Sequence, residues 1–323
     1  MNGGLKEVLK LEEGALALVN AATINSQACD LQFMERLGQS IAARLLKVCG
    51  IGLVAWLLFG VFTHPGFNIA REVPAYYEFW TDFNEPGYSG PSDGAVLSES
   101  LFTLPVDSDV LYLISRGAFQ YGTVTVEQSI EASDSVIVRV RAAYHMEEAF
   151  ERAYVCHLKR QANETGIAIY TPKSRLPRQD NKDQLMLDVT LTLPASAGED
   201  VLDIKSLATS APLFRHEVAA LSDTVFFISI SLNTLHLPIN VQSVAAETEI
   251  FTTANGHIEG HFHSTSSLKL VTTNMAIDAD VNLFHDEVAK PLELVTTTAN
   301  APLDARVSLT TASGYAGEFK VDA

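Results

Sequence analysis

A mainly β fold carrying one N-terminal transmembrane helix is predicted for this 323-residue chain. The β part divides into a β-sandwich-like unit over 98–194 and a β-solenoid-like repeat region over 195–323. Three observations predict this. Apolar and polar residues alternate with a period of two through several segments after residue 98, the pattern of half-buried strands. Four later segments align at nearly constant spacing, the mark of stacked coils. A run without charge, VCGIGLVAWLLFGVF, occupies residues 48–62.

Residues 1–44 read as a cytosolic N-terminal tail. Up to Lys47, five basic groups (Lys6, Lys10, Arg36, Arg44, Lys47) balance five acidic ones (Glu7, Glu12, Glu13, Asp30, Glu35), so the whole formal charge of -17 lies beyond that point. So acidic a domain repels phosphate backbones and excludes nucleic acid as a partner class. Residues 45–63 are the expected transmembrane signal anchor. Fifteen apolar residues span roughly 22 Å as a helix; Leu45 and Leu46 lengthen the run, Lys47 can snorkel, and Pro65 ends it. Arg36, Arg44 and Lys47 precede the span closely, and only Arg71 follows it closely. The positive-inside rule then places the N-terminus in the cytosol and the long remainder in a lumen or outside the cell.

Residues 64–97 form a juxtamembrane segment and linker. Its aromatic stretch VPAYYEFWTDF (73–83) suits a membrane interface or a strand equally, and NEPGYSGPSDGA (84–95) is turn-rich. In the sandwich-like unit, Val136, Val138 and Val140 share one face of SVIVRVRAAY (135–144). Leu185, Leu187, Val189, Leu191 and Leu193 share one face of QLMLDVTLTLP (184–194). GTVTVEQS (122–129) and GIAIYTPK (166–173) add two strands, and MEEAFERA (146–153) reads as a short helix with acids early in its length, as the helix dipole favours.

The repeat region contains SLNTLHLPINV (231–241), FTTANGHIEGHF (251–262), VTTNMAIDADV (271–281) and TTTANAPLDARV (296–307). These align Ile239, Ile258, Ile277 and Leu303 at steps of 19, 19 and 26, with an insertion near FHDEVAKP (284–291) accounting for the last. Further apolar pairs, LKL (268–270) and LEL (292–294), precede the repeat cores. One such unit cannot bury its own apolar face; stacked units can, with Thr and Asn at one level hydrogen-bonding along the stack. Val, Ile and Thr crowd the region and Gly, Pro and Asn punctuate it, which opposes helices.

The repeats, above all TTANGHIEG (252–260), resemble the β-solenoid repeat of bacterial candidate adhesins. The wider region, through LYLISRGAFQYGTV (111–124), EEAFERAYVCHLKR (147–160), GIAIYTP (166–172) and LDVTLTLP (187–194), resembles a family of uncharacterised fungal single-pass membrane proteins with a domain of unknown function. That resemblance implies a short membrane span followed by this β region; it implies no activity.

Candidate sites are few. His257, His261 and His263 would share one face of an extended segment, where imidazoles bind zinc or copper, but Gly256 and Gly260 would bend it and turn Glu259 away. Asp278, Asp280 and Asn282 alternate on one strand face, a spacing open to calcium, without the glycine-rich nonapeptide of calcium β-rolls. Exposed coil or strand faces account for both sets, so no metal and no cofactor are expected. His216-Glu217 reads as a turn or edge pair. Asn163-Glu164-Thr165 is an N-glycosylation sequon. Cys29, Cys49 and Cys156 form no C-x-x-C motif; Cys49 at the membrane edge reads as an inert membrane cysteine, with palmitoylation the alternative. No catalytic motif occurs. The expected function is a membrane-anchored, non-catalytic β-domain with an adhesin-like, cell-surface or wall-binding or structural role. Its expected partners are the lipid bilayer and a cell-wall polymer or protein. The alternative is a polysaccharide-acting enzyme on a β-solenoid scaffold.

Overall fold

The computed structural model describes residues 96–172, 184–196, 198, 200–285, 292–311 and 318–322, together with the backbone of 73–76 and 81–82. The tail at 1–44 with Cys29, the span at 45–63 with Cys49, and most of the linker at 64–97 lie outside these residues. Among the described residues no helix is long and apolar enough to cross a membrane.

The chain forms two compact units. The smaller comprises residues 1–77 and 156–162. In it β1 (Val73–Tyr76) pairs antiparallel with β7 (Tyr154–Lys159), with Val73 opposite Lys159. Cys156 is buried there.

The described residues of the larger unit, which comprises 78–155 and 163–323, are almost wholly strand. It begins with β2 (Thr81–Asp82), β3 (Val96–Pro105), β4 (Val110–Arg116), β5 (Gln120–Ala132), β6 (Ser135–Tyr144) and a four-residue helix α1 (Glu147–Phe150). It continues with β8 (Glu164–Tyr170), β9 (Leu185–Ala195), β10 (Leu202–Ser210), β11 (Phe214–Ala220), β12 (Val225–Asn233) and β13 (Ile239–Thr252). The last strands are β14 (Ile258–Val271), β15 (Ile277–His285), β16 (Leu292–Thr297), β17 (Leu303–Thr311) and β18 (Phe319–Asp322). The helix expected over 146–153 is thus cut to one turn.

Parallel pairing organises these strands into two ladders. The first runs β8, β4, β10, β12, the end of β13, the end of β14, β16 and β18. The second runs β9, β5, β11, the start of β13, the start of β14, β15 and β17. The chain climbs by alternating between them, so each coil gives one strand to each ladder. β13 and β14 cross the corner without a break and join both ladders into one nearly closed sheet around the core.

This arrangement corrects the expectation of a sandwich-like unit at 98–194. β4 lies between β8 and β10, and β5 between β9 and β11, all in parallel register. The early strands are therefore coils of the same stack that continues to residue 322. They are also out of sequence order: β8 and β9 stack on one side of β4 and β5, and β10 and β11 on the other. β6 and β3 pair antiparallel, as strands of a sandwich would, and extend the second ladder beyond β9.

The aligned residues of the later segments stand opposite one another in the ladders. Ile239 pairs with Ile258, Ile258 with Ile277, and Ile277 with Leu303; Leu268 of LKL pairs with Leu294 of LEL. The inward column of the second ladder reads Val189, Val124, His216, Ile239, Ile258, Ile277, Leu303. That of the first reads Leu111, Leu207, Ile230, Glu249, Leu268, Leu294, Val321. Burial of these apolar columns is the main source of stability.

The turns from the first ladder to the second hold the recurrent Thr and Asn. Hydroxyls of Thr234, Thr253, Thr272 and Thr298 donate to carbonyls of the preceding coil at Phe214, Leu237, Gly256 and Met275, over 2.8–3.3 Å. Asn300 donates to Asn274 (2.7 Å) and Asn274 to Asn255 (2.6 Å), while the Asn255 amide lies 2.9 Å from His236 Nδ1. Each Thr satisfies a carbonyl that the turn removes from the ladder. Gly256 is required by close approach, since a Cβ there would lie 1.9 Å from the Leu237 carbonyl oxygen.

Candidate functional site

Parallel coils set residues of equal register about 4.8 Å apart, so outward side chains form columns. On the outer face of the second ladder one column reads Glu217, Asn240, Glu259, Asp278, Asp304. The next contains His261, Asp280 and Arg306, and a third His263, Asn282 and Ser308. These residues alternate with the buried Ile258, Phe262, Ile277, Val281 and their neighbours, so the strand periodicity that fills the core also lays out this face.

His261 and His263 stand on this face and His257 just before it. They do not converge. His261 Nδ1 lies 3.3 Å from Asp280, whose other carboxyl oxygen is 3.3 Å from Arg306 Nη1. His257 Nε2 lies 3.7 Å from Glu259. Glu259 therefore sits beside His257, contrary to the expectation that it would turn away, because the extended strand is kept through Gly260. Asp278, Asp280 and Asn282 do share one face, but Asp280 is engaged by Arg306 and His261, and Asn282 accepts from Thr310 (3.2 Å). Among the described residues no group of three or more His, Cys, Asp or Glu could hold a metal ion. The face offers alternating charges and amides suited to hydrogen-bonding an extended ligand, with exposed ion pairs that individually contribute little.

The His216-Glu217 pair is neither a turn nor an edge pair. It lies in β11, between β5 and β13, with its two side chains on opposite faces. Glu217 accepts from Asn240 (2.9 Å) on the outer face. His216 is fully buried in an apolar column, its Nε2 2.8 Å from Thr209 Oγ1, and burial holds the imidazole at about 4.

Sequence reasoning missed Glu249. It occupies the first ladder's inward column between Ile230 and Leu268 and is 0% exposed. Burial pushes its carboxyl well above the usual carboxylate range, and the Ala246 backbone offsets only part of this. Its only sequence signal is misleading, because AETEIF (246–251) alternates as though Glu247 and Glu249 shared a solvent face. The corner at 247–248 changes the parity: Ala246 and Glu249 point inward, Glu247 outward.

Asn163, the sequon residue, is exposed just before β8, and Thr165 is buried in that strand.

No protein-family model matches the sequence, and no curated protein does. Solved structures give weak likenesses. A candidate cell adhesion protein of Clostridium sporogenes matches with a TM-score of 0.29 and 9% identity, over 67% of this chain and 100% of its own. A candidate adhesin of Bacteroides fragilis matches at 0.20 and 13%, over 66% and 97%. A candidate lipid binding protein of Parabacteroides distasonis matches at 0.21 and 11%, over 70% and 97%. At these scores the likeness locates no functional residue.

Proposed function

We propose that this chain is a non-catalytic, adhesin-like binding or structural module, tethered to a membrane, whose second ladder meets an extended partner on its outer face. The partner is a cell-wall polymer or a protein. One observation carries the reading: side chains such as Glu259, Asp278 and Asp304 stand in register on successive parallel strands. They repeat one set of hydrogen-bonding groups along a line, which matches a ligand that is itself repetitive.

The test is binding of the full chain, in mild detergent, to immobilised wall polysaccharides. Replacing His261, His263 and Asp278 together by Ala is expected to weaken binding at least about tenfold, roughly 1.4 kcal/mol. Unchanged affinity would remove this face from the reading, and shortening of the polymer would establish the polysaccharide-acting alternative instead.

In this proposal residues 45–63 are the tether, with the N-terminus cytosolic and the β region lumenal or extracellular, as the excess of basic residues before the span favours. Asn163 then faces the glycosylation machinery on an exposed turn. In sealed microsomes the β region is expected to resist protease, and Asn163→Gln to abolish a glycosidase-sensitive mass shift. Digestion of the β region in intact vesicles would reverse the topology.

A further inference from the structure

The two ends of the stack are built differently. At one end β9 bonds to antiparallel β6, and β6 to β3. At the other, β17 and β18 are the last strands of their ladders among the described residues, paired only with β15 and β16. The inward columns run out into solvent there. Val281 is 3% exposed and its register partner Val307 38%; Leu283 is 0% and Leu309 53%; Leu294 is 1% and Val321 52%. Free strand edges beside an uncovered apolar core form a template for further strands.

The charges on these edges identify the occupant. Along β17 an acid and a base flank one inward residue, as Asp304-Ala305-Arg306; along β18 the order is reversed, as Lys320-Val321-Asp322. Suppose β17 meets a second copy of itself antiparallel, about a two-fold axis through Ala305. Inward residues then face inward residues, with Leu303 opposite Val307. Asp304 faces Arg306 twice. Moving the axis to Val307 sets Arg306 opposite Ser308 and loses both ion pairs. In β18, an axis through Val321 sets Lys320 opposite Asp322, again twice. Both edges are self-complementary in the same antiparallel sense, as a two-fold that joins each ladder to its own copy requires. Arg306 and Lys320 already lean on Asp280 (3.3 Å) and Glu293 (2.5 Å) of the preceding coil, which holds them on the outer face at the edge.

We propose that the C-terminal end of the stack is a dimerisation surface, at which two copies join end to end through antiparallel β17–β17 and β18–β18 pairing. The dimer continues both ladders and closes one core across the two chains.

The test uses the full chain in mild detergent, followed by sedimentation and native mass spectrometry. The wild type is expected to be a dimer. Asp304→Arg and Arg306→Asp each set like charges across the axis, and each variant alone is expected to dissociate at least tenfold more readily. Mixed in equal amounts, they restore opposite charges and are expected to form a dimer containing one of each, a rescue that a misfolded variant cannot give. A wild type that is monomeric at about 100 μM overturns the proposal. Dimers that both single variants leave intact, or variants that fail to recombine, overturn it too, because the contact would then lie elsewhere.

Discussion

Glu249→Leu is expected to stabilise the fold by about 2 kcal/mol at pH 7, since an ionisable group buried with no charge partner among the described residues costs more than an apolar side chain of similar size. Leu is the residue that the same column carries at 207, 268 and 294, so the replacement has a shape the stack already accommodates. The effect depends on pH. Burial raises the folded-state pKa of Glu249 above its unfolded value. Between those two values the folded state keeps the proton and the unfolded state loses it. Stability from this group is therefore complete below the ordinary carboxylate pKa. It falls as pH rises, by about 1.4 kcal/mol per pH unit, until the folded pKa is reached. Denaturant titrations from pH 4 to 8 should show the gap between Glu249→Leu and wild type widening with pH. A constant gap would mean that Glu249 does not change its protonation on unfolding.

His216 acts with the opposite sign. Its folded pKa is held at about 4 by burial, below the ordinary 6.5. The unfolded state takes up a proton through this window while the folded state does not, so acidification from 6.5 to 4 should remove roughly 3 kcal/mol. His216→Leu is expected to abolish that component, and its stability relative to wild type should improve steadily as pH drops below 6.5. His157, in the smaller unit, is also held at about 4, chiefly by burial and then by Lys159, so its contribution has the same sign and remains in the His216 variant. In wild type the Glu249 and His216 slopes oppose each other above the ordinary carboxylate pKa and up to 6.5. The single variants separate them: Glu249→Leu should gain stability with rising pH in that range, and His216→Leu should gain less. A His216→Leu profile parallel to wild type would show that the imidazole is reached by solvent protons in the folded state.

These two residues mark where the sequence stops being readable. Period-two alternation located β5, β6, β8 and β9, and the 19-residue step located the turns and the Ile239–Ile258–Ile277–Leu303 column. Both are local or strictly periodic signals. Alternation cannot detect a corner that a strand passes without breaking, so Glu247 and Glu249 looked equivalent when one is exposed and the other buried. His216 carried no signal either, because a lone His-Glu dipeptide reads the same at an edge as at the centre of a sheet. On the candidate face the strand pattern placed His261, His263, Asp278 and Asp280 outward. That Arg306, 26 residues on, shares the Asp280 carboxylate depends on which coil stacks on which.

The sequence by itself determined that the chain after residue 98 is mainly strand, which residues point inward where alternation runs unbroken, and where the repeated Thr-Asn turns lie. Side-chain alternation and turn chemistry depend on neighbours a few residues away. Only the tertiary structure decided that 98–194 belongs to the same stack, that β4 and β5 are inserted between coils that follow them in sequence, and that a carboxylic acid lies in the core. Parallel strands pair across long stretches of intervening chain, and no local pattern specifies which partner a strand edge will meet.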